Sequence, residues 1–138
     1  MWGLLLALQA VAPAVTPPPP PMPIVDCFVP GPFIVFFDRN SAALGAEARS
    51  ILTHFVQVEA DPCGVFRFGI TGHADRGERA GVDRRRVKAV RAFLTARGLR
   101  RLVAATRGVG NTVPRVVRAA GVDELQNRRV ELHAMPGG

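Results

Sequence analysis

The chain has 138 residues and carries 18 basic against 11 acidic side chains, a formal net charge of +7. Its hydrophobic fraction of 48% and charged fraction of 21% are typical of a globular protein and exclude a wholly disordered one. Two cysteines exclude a disulfide-dense miniprotein, and the short apolar N-terminal run excludes a protein with several membrane spans. The length is that of one domain with a short extension.

Almost all of the positive charge is arginine, because Lys88 is the only lysine. The planar guanidinium fork binds carboxylates and phosphates, so such a surface suits nucleic acid, acidic polymers or carboxylate-bearing ligands. A GC-rich coding sequence would also enrich arginine without any structural reason. The composition therefore leaves a basic nucleic-acid-binding module open as an alternative function.

The N-terminal segment has the pattern of an export signal. Residues 1–16 contain no charged side chain, and the apolar run that begins at Trp2 ends in Ala12-Pro13-Ala14, a small-residue cleavage pattern. The run is shorter than the roughly 20 residues that a transmembrane helix needs. We predict a signal peptide over residues 1–14 and no transmembrane span after its cleavage, with an uncleaved apolar anchor as the alternative.

A proline-rich segment follows. Nine of the 12 prolines lie between Pro13 and Pro32, and five are consecutive from Pro17 to Pro21. Such runs adopt extended polyproline II and act as semi-rigid spacers. Residues 15–32 are therefore predicted to be a linker to a folded domain over residues 33–135, although a proline run can also bind a partner domain.

The first half of that domain reads as strand, helix, strand. Residues 33–37 are aromatic and β-branched between Pro32 and Asp38, which predicts a buried strand. Residues 46–59 are predicted to form a helix, because apolar side chains recur at spacings of three and four. Those side chains are Ala48, Ile51, Leu52, Phe55 and Val58. Residues 65–71 are predicted to form the second strand.

The second half reads as loop, helix, strand, strand. A polar, glycine-containing loop at 72–77 precedes a helix predicted over 82–97, whose apolar stripe is Val87, Val90, Phe93 and Leu94. Strands are predicted at 102–106 and 129–134, separated by a turn at 108–111 and by a loop or short helix at 114–123. The element order predicts an α/β (α+β) two-layer sandwich, β-α-β-α-β-β, with a mixed sheet and both helices on one face.

The two cysteines are a disulfide candidate. Cys27 precedes the first predicted strand and Cys63 the second, so both are expected at the same end of the sheet. A bridge would close a loop of about 36 residues and contribute roughly 3–4 kcal/mol in the chain-entropy model. Two free thiols are the alternative. The cysteines are too few and wrongly spaced for a zinc site, so no metal or cofactor is expected.

Five segments in order carry a family resemblance. FFDRNS at 36–41, with Leu44 and Glu47-Ala48, is similar to FDFDSxxLxxEA, and GHAD at 72–75 to GHTD. RVKAVR at 86–91 with Leu94 is similar to RAxAVxxYL, GVG at 108–110 to GYG, and ELQNRRVEL at 124–132 to ExxxNRRVEI. Together they resemble the OmpA-like peptidoglycan-binding domain, which is also found in MotB and Pal.

The resemblance implies a non-enzymatic protein that binds peptidoglycan in the periplasm and is associated with the cell wall. The outer membrane and other envelope proteins are further candidates for association. The family's ligand handle is diaminopimelate, whose side-chain end carries an ammonium and a carboxylate on one carbon. By position, Asp75 is expected to contact the ammonium and Arg86 the carboxylate. The other expected ligand contacts are Asn40 and Arg128.

Supporting roles are expected for Asp38 and Asn127, which would brace the loops, and for Arg79. The segment between Asp75 and Arg86 is about four residues shorter than in the family, and Arg79 stands where the family has an asparagine. Arg79 is therefore a candidate ligand contact. A peptidoglycan hydrolase that uses His73 and Asp75 is the least supported hypothesis, because no nucleophile or metal ligand accompanies these two residues.

Overall fold

In a computed structural model of the chain, the structure describes residues 3, 7–22, 31–59 and 67–135. Residues 7–22 form neither helix nor strand. The helices and strands are β1 (Phe33–Phe36), α1 (Ala46–Glu59), β2 (Phe68–Gly72), α2 (Val82–Ala96), β3 (Val103–Gly108) and β4 (Arg129–Ala134). Among the described residues, neither helix is long and apolar enough to cross a membrane.

The four strands form one mixed sheet in the order β1-β4-β2-β3. β4 runs antiparallel to both β1 and β2, and β3 runs parallel to β2. The carboxyl ends of β1, β2 and β3 therefore lie at the same edge of the sheet as the amino end of β4. The loops at 37–45, 73–81 and 109–128 leave or enter the sheet at that edge, which we call the loop edge.

Both helices pack on one face of the sheet. Val35 pairs with Val130 and Ile70 with Leu132, and these four buried side chains share the covered face. They form a single core cluster with the apolar stripes of α1 and α2, and the two helices also contact each other. Burial of such side chains is the main favourable term in folding. The predicted two-layer α/β sandwich is confirmed.

Two glycines let α2 start close against the sheet. A Cβ atom on Gly72 would lie 2.3 Å from the carbonyl oxygen of Asp83, and one on Gly108 would lie 2.3 Å from Asp83 Oδ2. Asp83 Oδ2 also accepts a hydrogen bond of 2.9 Å from the Gly110 amide. Since only glycine fits at these two positions, the first turn of α2 is held beside the ends of β2 and β3.

Some predicted boundaries are wrong by a few residues. The third strand begins at Val103 rather than at 102 and continues to Gly108, because Arg100–Leu102 form a 3-10 turn and Gly108 pairs with Gly72. The first strand ends at Phe36, and α2 ends at Ala96. Of the two alternatives predicted for residues 114–123, a loop or a short helix, the structure shows the loop. The Cys27–Cys63 candidate lies outside the described residues.

Candidate functional site

The polar residues of the motifs meet at the loop edge. The loop after β1 carries Asn40, the loop after β2 carries Asp75, and the segment before β4 carries Asn127. α2 brings Arg86 toward the same place from the covered face. Five motifs that are far apart in the chain thus surround one end of the sheet.

Arg86 is fully buried and all five of its N–H groups are paired. Nε donates to the carbonyl oxygen of Ser41 at 2.9 Å, Nη1 to that of His73 at 3.1 Å and Nη2 to that of Asp38 at 3.0 Å. The two remaining N–H groups bind the two carboxylate oxygens of Glu78. A guanidinium has five donors, so this set leaves none free for another acceptor.

Glu78 sits in a carboxylate-binding site made by three groups. Besides the forked pair with Arg86, its oxygens accept hydrogen bonds of 2.8 Å from the backbone amides of Asn40 and Asp75. Its side chain, like that of Arg86, has no exposed surface. Burial alone would raise the pKa of Glu78, but the hydrogen bonds from Arg86, Asp75 and Asn40 outweigh it and hold that pKa below its usual value.

Asp75 is buried and its two oxygens are held by the segment before β4. Oδ2 accepts from the Glu124 amide at 2.8 Å, and Oδ1 accepts from Asn127 Nδ2 at 3.2 Å. Burial acts to raise the pKa of Asp75, whereas these hydrogen bonds and the Arg76 amide lower it by more, so the net shift is downward. Asp75 is therefore a carboxylate with a stabilised negative charge.

Asn127 ties the long loop after β3 to this carboxylate. Its Oδ1 accepts from the amides of Arg115 and Val116, and its Nδ2 donates to the Val116 carbonyl as well as to Asp75. A cleft of about 260 Å³ opens beside it. Residues that line the cleft include Ala74, Asp75, Asn111, Val116, Val122 and Asn127. A ligand in this cleft would lie next to the Asp75 side chain.

The other residues that were predicted to contact or support the ligand lie around the Arg86–Glu78 pair and the Asp75 carboxylate. Asn40, in the left-handed region at φ 53°, accepts the Arg79 amide on its Oδ1, and the Arg79 side chain is exposed. Arg128 is half-buried, and its Nε donates to the Phe37 carbonyl at 3.0 Å. The Asp38 side chain is exposed, while its carbonyl accepts from Arg86.

His73 points to a different cluster, so it is not paired with Asp75. Its Nε2 lies 3.6 Å from Glu131 Oε2, and Glu131 also accepts a 2.7 Å hydrogen bond from the buried Arg129. Burial, followed by the positive charge of Arg129, holds the pKa of His73 below its usual value. Within the described residues, no group of three or more His, Cys, Asp or Glu side chains could hold a metal ion.

Sequence reasoning missed Glu78 and Glu124 as members of the site. Glu78 is one of several charged residues in a polar loop, and its partners in the site lie 38, 3 and 8 residues away along the chain. Glu124 contributes its amide to Asp75, and its side chain caps the 3-10 turn Leu125–Asn127. The N-terminal position of Glu124 in its motif was the one available signal.

Comparison of the structure with known structures finds similar folds. The OmpA-like domain of FopA1 from Francisella tularensis is 19% identical with a TM-score of 0.60, and the match covers 78% of this chain and 75% of that chain. The peptidoglycan-associated lipoprotein from Burkholderia pseudomallei is 22% identical with a TM-score of 0.60, and the match covers 74% of this chain and 89% of that chain. The cell wall anchor of the type VI secretion system (T6SS) from Pseudomonas aeruginosa is 22% identical with a TM-score of 0.56, and the match covers 72% of this chain and 75% of that chain.

No family profile and no curated protein sequence matches the chain. The likeness therefore lies in the fold, at a sequence identity of 19–22%. The resemblance that the five motifs indicated is confirmed at the level of the fold.

Proposed function

Because the chain has the fold of OmpA-like domains, we propose that it binds peptidoglycan non-covalently and recognises the diaminopimelate end of the stem peptide. Two neighbours of similar fold are named as a peptidoglycan-associated lipoprotein and a cell wall anchor, which supports this class of ligand. These neighbours are less than 25% identical to the chain, so their likeness supports the fold alone. The ligand is therefore inferred from the chemistry of the site.

One observation carries the proposal: Asp75 contributes to two neighbouring places of opposite preference. Its amide is part of the carboxylate-binding site on Arg86, and its side chain is a buried anion beside the cleft. A group with an ammonium and a carboxylate on one carbon needs an anion and a forked cation in neighbouring places. We therefore assign Asp75 to the ammonium and Arg86 to the carboxylate of the ligand, which would take the place of the Glu78 carboxylate that Arg86 now binds.

The surrounding residues would hold the peptide part of the ligand. Asn40, Arg79 and Arg128 lie at the rim, where exposed or half-buried polar groups can bond to a stem peptide. Asn127 and the backbone of Asp38 act from below by holding the loops against one another. In this proposal the binding is non-enzymatic, with no step of bond cleavage.

The remainder of the chain would place the domain in the cell envelope. We propose that residues 1–14 are an export signal, that residues 15–32 are a linker and that the domain at 33–135 works at the cell wall in the periplasm. The proline-rich linker would leave room for an envelope partner or for association with the outer membrane. A domain that reaches its polymer on a spacer of this kind is suited to anchoring.

Co-sedimentation with purified sacculi tests the proposal. The full chain is expected to pellet with diaminopimelate-type sacculi, and free diaminopimelate should compete. Lysine-type sacculi lack the side-chain carboxylate and should bind less. Asp75→Asn removes the charge that meets the ammonium, so affinity should fall roughly 30- to 150-fold, equivalent to about 2–3 kcal/mol.

Asp123→Asn is the matched control, because Asp123 is an exposed carboxylate whose partner is Arg39 rather than Asp75, Glu78 or Arg86. It should bind like the unaltered chain. Absence of sedimentation for the unaltered chain would refute the proposal. Binding that persists in Asp75→Asn and falls steeply with salt would instead indicate a generic polycation, as expected of a nucleic-acid binder.

A further inference from the structure

The carboxylate-binding site on Arg86 already contains a carboxylate, that of Glu78. The guanidinium fork and two backbone amides, from Asn40 and Asp75, all point at the Glu78 oxygens. Neither the Glu78 nor the Arg86 side chain has exposed surface. An external carboxylate cannot reach Arg86 while Glu78 is in place.

We propose that Glu78 is an internal ligand of this site, so that a ligand carboxylate binds Arg86 by displacing Glu78. This inference rests on the proposed function for the identity of the natural ligand. It adds a residue that sets affinity and selectivity, because only a ligand that replaces both oxygens of Glu78 recovers the hydrogen bonds that are lost. A ligand with an ammonium alone cannot replace Glu78, because displacement would leave Arg86 buried without a counter-charge.

The segment that carries Glu78 can move without opening the core. Gly77 and Gly81, on either side, have φ values of +77° and +83°, in the region that glycine enters readily. Arg76, Arg79 and Ala80 in the same segment are exposed, and Glu78 is not part of the hydrophobic cluster. Release of Glu78 therefore breaks polar contacts at the loop edge and leaves the α2–sheet packing intact.

The cost of displacement appears directly in the affinity. When the binding-competent state is a fraction of the population, the apparent dissociation constant is the intrinsic constant divided by that fraction. A site that is open in about 1% of molecules binds about 100-fold more weakly than an open one. Removing the Glu78 carboxylate should recover most of that factor.

Chemical rescue by a small carboxylate tests the inference without peptidoglycan. Glu78→Ala leaves the Arg86 site vacant, so acetate should raise the melting temperature of this variant more than chloride does at equal ionic strength. The unaltered chain and Asp123→Ala, which loses an equal charge elsewhere, should show no acetate-specific shift. Equal shifts in all three proteins would overturn the inference.

Two further variants keep the test valid if Glu78→Ala folds poorly. Glu78→Gln keeps the shape of the side chain but turns an amide toward the guanidinium, so it should give a smaller acetate-specific shift. Glu78→Ala/Arg86→Ala removes both buried charges and should fold without any acetate response. An acetate-specific shift in the double variant would contradict the assignment of the site to Arg86.

Binding to diaminopimelate-type sacculi then tests the displacement. Glu78→Ala should bind at least roughly tenfold more tightly than the unaltered chain. Asp123→Ala should bind as tightly as the unaltered chain. A folded Glu78→Ala that binds no more tightly overturns the inference. If no variant binds sacculi, the proposed function fails, and the acetate result alone then supports or overturns Glu78 as occupant of the carboxylate site.

Discussion

Two buried clusters of charged side chains lie on either side of the C-terminal end of β2. They differ in whether every polar side-chain atom of the cluster has a hydrogen-bond partner. In the first, every N–H group of Arg86 is paired, and the Glu78 carboxylate bridges it to two backbone amides. In the second, around Arg129, neither ring nitrogen of His73 nor Nη1 of Arg129 has a hydrogen-bond partner within the described part of the chain. Both clusters bury an arginine.

The difference shows how a buried charge comes to hold loops together. Arg86 joins the loop after β1 to the loop after β2 through the carbonyls of Ser41, Asp38 and His73, so the ion pair is also the clamp of the loop edge. Arg129 pairs with Glu131, which is partly exposed and only two residues away. A complete network specifies one loop arrangement, whereas an incomplete one leaves polar groups that cost stability.

Arg86→Ala should have the largest effect, because it breaks the complete cluster and leaves the Glu78 carboxylate buried without a counter-charge. The expected loss in the free energy of unfolding is about 3–5 kcal/mol. Urea denaturation measures it. Glu78→Ala/Arg86→Ala should recover a large part of the loss, since no isolated charge remains. Arg39→Ala breaks a surface ion pair and serves as the comparison. If Arg86→Ala were as stable as Arg39→Ala, the cluster would not be a clamp of the loop edge.

Acidification should weaken the complete cluster next. The pKa of Glu78 is held below its usual 4.5 and that of Asp75 below 3.8 in the folded chain, so the unfolded chain binds protons first as pH falls. The stability that these carboxylates contribute is fully present above those values and is lost as pH drops through the lower, folded pKa values.

Urea denaturation between pH 7 and pH 2 measures this loss. In Glu78→Ala/Arg86→Ala the acid-dependent part that belongs to Glu78 should disappear, while the part that belongs to Asp75 remains. An identical pH profile in the double variant and the unaltered chain would contradict the role of Glu78.

The smallest effect is expected from the incomplete cluster. The pKa of His73 is held below 6.5, first by burial and then by Arg129, so protonation is easier in the unfolded chain. Stability should therefore fall slightly as pH drops from 6.5 through the folded pKa. NMR titration of the His73 ring should give a midpoint below 6.5. A midpoint above 6.5 would show that Glu131 dominates over burial.

The secondary structure was readable from local pattern. α1 has the bounds that the spacing of Ala48, Leu52 and Phe55 indicates, and β4 has the bounds of the alternation around Val130 and Leu132. The third strand was placed less well. Its start is set by the 3-10 turn at Arg100–Leu102 and its end by pairing with β2, neither of which is visible in the strand's own residues.

The candidate site was readable only in part. The motifs identified Asp75, Arg86 and Asn127, and the topology brings all three to the loop edge. The contacts between them were not predictable. Asp75 was predicted as a ligand contact, and its hydrogen bonds to residues about 50 positions away, on both carboxylate oxygens, had no local signal. Glu78 had no pattern that set it apart from the exposed charged residues around it.

The sequence by itself determined the elements, their order and hence the α/β sandwich, because hydrophobic periodicity is a local property that repeats along the chain. It also determined that the loops at one edge are polar. Only the tertiary structure decided that the Arg86 fork is filled by Glu78. The burial of this ion pair depends on groups from two loops and from α2 lying about 3 Å apart, and no local pattern encodes that distance.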